Sequence, residues 1–384
     1  MSLAEHHDKT WYKNSQKFRN QSRTWKSEVA FNREPQLVAE VLLDERVWGI
    51  PSATSDDIVI FGCYDSAVHA LDIHKLEEVW RFQTDGPVYS STTVVSSGGC
   101  VVGCEDFRLR RLGNTGNLLW VFGSGGKFHQ TPTVDENRDA VYIGSYDHNM
   151  YCVSLSTGKR RWAIDYSRVI AGESRRFPAL ASSPALTRDG EIIFGANTEL
   201  TCVRPDGSVL WTTFLDSQIA STAALDLDLN RGIIGTKSGS IYLFDIGTGV
   251  IVQSIKSGGA VDSCPAIGLG GLAFIASNDE KLYAISLERG DVRWVAPAGG
   301  QAWYTQLTIA PTGEVMLSAS DERLHCFDPE NGRELWTVGH ARGIHSSPLI
   351  TATGSLFVGS HRNAVFKYQW PYRNGASDTM DLPG

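Results

Sequence analysis

The sequence predicts an all-β protein, an eight-bladed β-propeller of four-stranded antiparallel blades, on three observations. A tryptophan or its stand-in closes block after block of about forty residues, at Trp80, Trp120, Trp162, Trp211, Ile251, Trp294 and Trp336. Eight turns, each after a hydrophobic run that ends in a small residue, recur at residues 62–65, 103–106, 144–147, 195–197, 235–238, 276–279, 318–321 and 359–362. With 38 Gly and 11 Trp and only 20% charged residues, the 384-residue chain suits short strands and tight turns better than helices.

Each block reads in one order. A small-polar doublet such as Ser346-Ser347 leads into the innermost strand, and a hydrophobic run ends in Gly before a turn carrying Asp. A third strand such as Leu282 to Ser286 then passes through a Thr-Gly or Asn-Gly turn to the strand that carries the Trp. One such sheet cannot bury both faces, so the blocks must stack on one another. The last copy stops at Trp370 without a fourth strand, while an unpaired segment, Trp25 to Val29, lies upstream of the first. The expectation is that an N-terminal strand completes blade eight, closing the ring and removing the free sheet edges. The repeats then fill residues 21–370 as a single propeller, with an extension at 1–20 and a tail at 371–384.

The repeat text itself, as in residues 324–336 (LHCFDPENGRELW) or 68–72 (VHALD), resembles the pyrroloquinoline-quinone (PQQ)-type propeller repeat over roughly residues 46 to 370. The resemblance implies the fold more than an activity. The repeat occurs in quinoprotein dehydrogenases, in outer-membrane assembly scaffolds and in the propeller domain of some acyl-adenylating enzymes. The dehydrogenases of that family use a vicinal Cys-Cys pair, a calcium ion and a catalytic Asp. This sequence has no Cys-Cys pair, calcium-type loop, phosphate cradle, zinc motif or nucleophile elbow. No cofactor and no metal are expected, and a quinoprotein-like dehydrogenase ranks third among the readings.

A net charge of −8 argues against a nucleic-acid partner. The polar N-terminus and the lack of long apolar runs argue for a cytoplasmic protein without membrane contact. Five of the cysteines, Cys63, Cys104, Cys152, Cys202 and Cys326, stand at repeat positions and read as small core residues of a reducing compartment. The turn acids Asp65, Asp106, Asp147, Asp279 and Asp321 read as turn locks, and the Trp ladder as packing between blades.

Candidate chemistry gathers at one repeat position. The residue before each small-polar doublet is Trp48, Tyr89, His129, Ala181, Ala220, Asp262, Tyr304 and His345 in turn, a ring at one mouth of the central channel. The position before it, Val47, Val88, Phe128, Leu180, Ile219, Val261, Trp303 and Ile344, is uniformly apolar, as packing between blades requires. The fold does not need the variety of the first set. The connection from Trp162 to Ser183 is about twice as long as its counterparts, and it should overhang this mouth as a lid carrying Arg168, Arg175, Arg176 and Phe177.

These residues favour a small-molecule site with His129, His345, Asp262, Tyr304 and Tyr89 as catalytic candidates. Trp48, Trp303, Ala181, Ala220 and the lid residues would bind the substrate. The chemistry expected is cofactor-free dehydration, isomerisation, cyclisation or cycloaddition of an apolar or aromatic metabolite. The competing reading is a non-catalytic scaffold that contacts a protein partner on the channel rim.

Overall fold

The computed structural model describes residues 29–169, 180–344 and 346–371. Eight separate four-stranded antiparallel sheets follow one another along the chain. The strand order within a blade is that of the sequence, as in Ser52–Ala53, Ile58–Cys63, Ala67–Asp72 and Glu78–Gln83 of blade one. The second and third strands are buried on both faces because each blade is covered by its two neighbours, so Ile58–Cys63 and Ala67–Asp72 read as nearly continuous apolar runs. Outer strands alternate instead, as in Leu118–Gly123, where only one side of the strand finds a neighbour.

The ring is closed by an N-terminal strand, as expected, but not by the segment around Trp25. Gln36–Leu42 pairs with Ala364–Gln369 and completes blade eight. Residues 1–28, Trp25 among them, lie outside the described residues, as does the tail from 372. Val29 and Phe31 pack into the core between blades seven and eight with Trp336 and Trp370. The indole N–H of Trp336 donates to the carbonyl of Phe31 at 2.8 Å.

Each blade carries the same irregularity, a register shift in its outer strand next to the Trp position, for example between Ala70 and Leu71 opposite Trp80. The shift assigns the stand-in in blade five to Gln253, which faces Leu243, and not to Ile251, which faces Phe244. The packing agrees. A Cβ on Gly116, Gly158, Gly207, Gly249 or Gly332, all at positive φ, would meet the indole of Trp80, Trp120, Trp162, Trp211 or Trp294. The same atom on Gly290 would meet Gln253. The Trp ladder thus seats each outer strand on the turn glycine of the next blade, where the left-handed backbone and the close approach both exclude a side chain.

The apolar collar is buried without residual exposure at Val47, Val88, Phe128, Leu180, Ile219, Val261 and Ile344. It packs against the glycine that ends the second strand of the preceding blade. Gly62 lies under Val88, Gly103 under Phe128 and Gly144 under Leu180, each too close for a Cβ. Blade seven departs from the expected register. Trp303 is 47% exposed, and the buried residue there is Ala302. The N–H of Ser320 bonds Gln301, two residues before Trp303, whereas its counterparts Tyr64 and Tyr146 bond Arg46 and Lys127, two residues before Trp48 and His129. Trp303 therefore takes the ring place in blade seven, and Tyr304 is an extra residue accommodated at φ +53°.

The small-polar doublets knit neighbouring blades together around the channel. Ser91 Oγ accepts from Ile50 N–H, Ser183 Oγ from Thr131 N–H and Ser347 Oγ from Gln306 N–H. Ser90, Thr93, Thr133 and Thr308 donate to carbonyls of the following blade. No described helix is long and apolar enough to cross a membrane.

Candidate functional site

The innermost strand begins four residues after the ring position, as in Trp48 before Ser52–Ala53 and Asp262 before Ala266–Ile267, and five after it in blade seven, where Tyr304 is the extra residue. This shared offset brings ring residues from across the chain to one level. Trp48, Tyr89, His129, Ala181, Ala220, Asp262, Trp303 and Tyr304 all line one pocket of about 470 Å³ at the channel mouth. His345, Arg175, Arg176 and Phe177 lie outside the described residues. Arg168 does not line the pocket. It makes a bidentate pair with Glu199 of blade four at 2.8 and 3.0 Å and lies over the ring of Tyr166. A carboxylate fixed at the start of the strand Glu199–Val203 holds the guanidinium there instead of over the channel.

A second ring, which the sequence reading took only as turn residues, interleaves with the first. Two residues after the small residue that ends each hydrophobic run stand Tyr64, Glu105, Tyr146, Asn197, Lys237, Asn278, Ser320 and His361 in turn, as varied as the first ring, and that variety was the available signal. Tyr146 and Lys237 line the pocket directly. Others brace first-ring residues: Glu105 touches His129, Asn278 touches Asp262, and His361 stacks on Trp48.

One side of the mouth is a continuous aromatic stack. His361 and Trp48 lie 4.3 Å apart, Trp48 and Tyr89 5.0 Å, Tyr89 and His129 4.5 Å, and His129 and Tyr146 4.4 Å. Trp48, expected to bind the substrate, lies between His361 and Tyr89, so an edge is what it offers to a ligand. Burial raises the phenols of Tyr89 and Tyr146, the latter to about 12, so both are neutral hydrogen-bond donors. His129 Nε2 lies 2.8 Å from Glu105, but off the direction of a hydrogen bond. Glu105 is shared with Lys127 at 2.6 Å. Burial outweighs the carboxylate and holds the imidazole below its ordinary value, so His129 is a neutral proton acceptor at neutral pH.

The other side is sparse. Ala181 and Ala220 leave space, and the pocket runs down beside blades four and five to Leu186 and Leu225. Beside blades one, six, seven and eight it stops at Ile50, Pro265, Gln306 and Ser347. Asp262 is 6% exposed. One carboxylate oxygen accepts from Asn278 at 3.2 Å and the other is buried without a partner. Burial raises its pKa against the opposing field of Lys237. Lys237 Nζ is 3.1 Å from the Tyr304 hydroxyl. Among the lining residues, His129 Nε2, Gln130 Oε1, Asp262 Oδ1 and Thr305 Oγ1 are buried and lack a hydrogen bond.

A PQQ cofactor does not fit this lining. The quinone carries three carboxylates, while among the described lining residues Lys237 is the single permanently cationic one and Asp262 the lone carboxylate available to a calcium ion. One potential metal-ligand cluster among the described residues, Cys63, Asp65 and His69, lies within blade one. It reads as a lock. His69 is held by Asp65 at 2.9 Å and Glu78 at 2.7 Å, and blade seven repeats the arrangement as His325, Asp321 and Glu334 with Ala319 in place of the cysteine. Tyr151 on Asp147 and Tyr283 on Asp279 are the same latch with a phenol. Six of the seven thiols are buried, and burial pushes Cys63, Cys100, Cys152 and Cys202 up to about 12.

Residues 19–204 match the family model of the outer membrane protein assembly factor BamB. The β-alanine-activating enzyme of Drosophila melanogaster is 25% identical over 292 residues, which cover 69% of this chain and 28% of that protein. The chain thus spans little more than a quarter of that relative's length. Among solved structures, BamB from Moraxella catarrhalis superposes with a TM-score of 0.69 at 14% identity, over 88% of this chain and 100% of that one. Quinohemoprotein alcohol dehydrogenase from Comamonas testosteroni gives 0.70 at 13%, over 96% of this chain and 81% of that one. At such identities the structural likeness concerns the fold alone.

Proposed function

From a chain whose repeats belong to the PQQ-type propeller family, yet whose channel mouth does not suit the quinone, we infer a small-molecule-binding propeller that acts on an apolar or aromatic metabolite by cofactor-free proton transfer. The observation that carries this reading is the convergence of buried, unpartnered polar atoms on one pocket. Native proteins rarely leave such groups unpaired except where a ligand or water completes them. In the reaction His129, held neutral by burial, removes a proton. Asp262 holds a donor of the substrate on the opposite flank through its unpartnered Oδ1, and the proton taken by His129 returns from its imidazolium to the leaving or recipient atom. Tyr89 and Tyr146 donate hydrogen bonds to oxygen that gains charge, and the recess over Ala181 and Ala220 orients the apolar body. Elimination, isomerisation or ring closure are the reaction classes this set serves.

The test is a ligand screen by saturation-transfer NMR with aromatic and terpenoid-like compounds, followed by turnover of any that bind. His129→Ala should lower turnover by about a hundredfold or more while leaving binding nearly intact. Turnover unchanged in the His129→Ala, His345→Ala double variant would end the catalytic reading.

A scaffold reading has its own support in the likeness to BamB and in the exposed Leu118, Leu119 and Val121 on the outer strand of blade two. It expects binding of a protein that survives when the pocket is blocked.

A further inference from the structure

The pocket is deepest where its ring residues are smallest. Ala181 and Ala220 occupy adjacent blades, and below them Pro184, Leu186, Ala223 and Leu225 form an apolar recess. Its two flanks, in blades three and six, each carry a buried acceptor. Gln130 is 5% exposed, and its amide nitrogen donates to the Leu180 carbonyl, which turns Oε1 into the unpartnered end. Asp262 is 6% exposed, with Oδ2 taken by Asn278 and Oδ1 unpartnered. An amide oxygen and an ionised carboxylate oxygen can only accept. Groups that only accept, such as ethers, esters and carboxylates, would leave both unpaired, and desolvated sites reject such mismatches strongly.

We propose, on the reading of this mouth as a small-molecule site, that its ligand is an elongated apolar body seated over Ala181 and Ala220 with an O–H or N–H donor at each end, one for Gln130 Oε1 and one for Asp262 Oδ1. Phenols, alcohols and amines separated by a ring system or an isoprenoid-sized spacer belong to this class. The recess selects length and apolar character, and the two flanks select donors over acceptors.

Calorimetric titration of the full chain with a para,para-biphenol and with its dimethyl ether separates these elements, because the two share a body and differ in donors. The biphenol should bind at least about tenfold more tightly. Gln130→Met and Asp262→Leu should each reduce that ratio toward one, giving two independent variants should either fail to fold. Ala220→Leu should weaken both probes alike by filling the recess. Equal affinity for the biphenol and its ether would overturn the donor assignment while leaving the pocket as a binding site. An unchanged ratio in both acceptor variants would do the same. Failure of both probes, together with failure of shorter and longer diols and of apolar ligands without donors, would remove the small-molecule reading beneath it.

Discussion

Two arcs of one ring have taken opposite courses. From blade eight through blade three the mouth is filled by a run of stacked rings, His361, Trp48, Tyr89 and His129, with Tyr146 tilted against the last. Across blades four and five the same repeat position holds Ala181 and Ala220, and the channel opens into a recess. The backbone, collar and doublets are alike in both arcs. The propeller therefore fixes where a ring side chain starts, and residue volume decides whether that sector is wall or cavity. A filled arc gives rigidity and a lowered imidazole pKa, whereas an open arc gives room for a ligand and leaves polar atoms at its edges unpaired.

The contrast is broken most severely at Trp48. Trp48→Ala removes the centre of the stack and should cost about 2–3 kcal/mol, less than for a fully buried Trp because it retains some exposure. Denaturant midpoints measure this, and a loss below half of that would mean the stack contributes little to stability. Asp262 probes the other arc. Burial raises its carboxyl pKa, so the native state holds that proton more tightly than the unfolded chain does, and stability is lost as pH rises through the folded value. Asp262→Asn should then match or exceed the wild type by about 1 kcal/mol at neutral pH, and the difference should vanish as pH falls to the ordinary aspartate value of 3.8.

His129 has the reverse sign. Its folded pKa lies below the ordinary 6.5, so its contribution is fully present above 6.5 and is lost as pH falls from there through the depressed value. Imidazole resonances followed by NMR should titrate below 6.5, lower still in Glu105→Gln and higher in Lys127→Met. Movement in the opposite directions would contradict the roles of burial and Glu105. The smallest effect is expected from Ala220→Leu, which fills the recess and should leave the melting temperature nearly unchanged while altering ligand binding. A large destabilisation there would mean the recess is already packed.

The repeat was legible because a blade is local: its strands, turns and Trp follow one another within about forty residues. The errors arose where a side chain was read without its register. Ile251 was assigned the Trp position, whereas the bulge places Gln253 there. Trp303 was assigned to the collar, but the extra residue at Tyr304 turns it into the pocket. Blade five has Ser238 where five of the other turns carry an acid, and Asp216 of the preceding connection supplies the carboxylate. It accepts from Thr236, Ser238 and Ser240, which with Lys256 hold its pKa down to about 2. That exchange of donor and acceptor crosses twenty-odd residues and leaves no motif.

By itself the sequence determined the number of blades, the class of fold, closure by the N-terminus and the position from which the pocket is built, because each follows from a pattern repeated along the chain. Only the tertiary structure decided that Gln36–Leu42 is the closing strand, that Arg168 turns to Glu199, and that Glu105, Tyr146, Lys237 and His361 join the mouth. Ring closure is the physical reason. It brings together residues from blades far apart in the chain, and which of them stack, pair or remain open depends on volumes and charges meeting across blades.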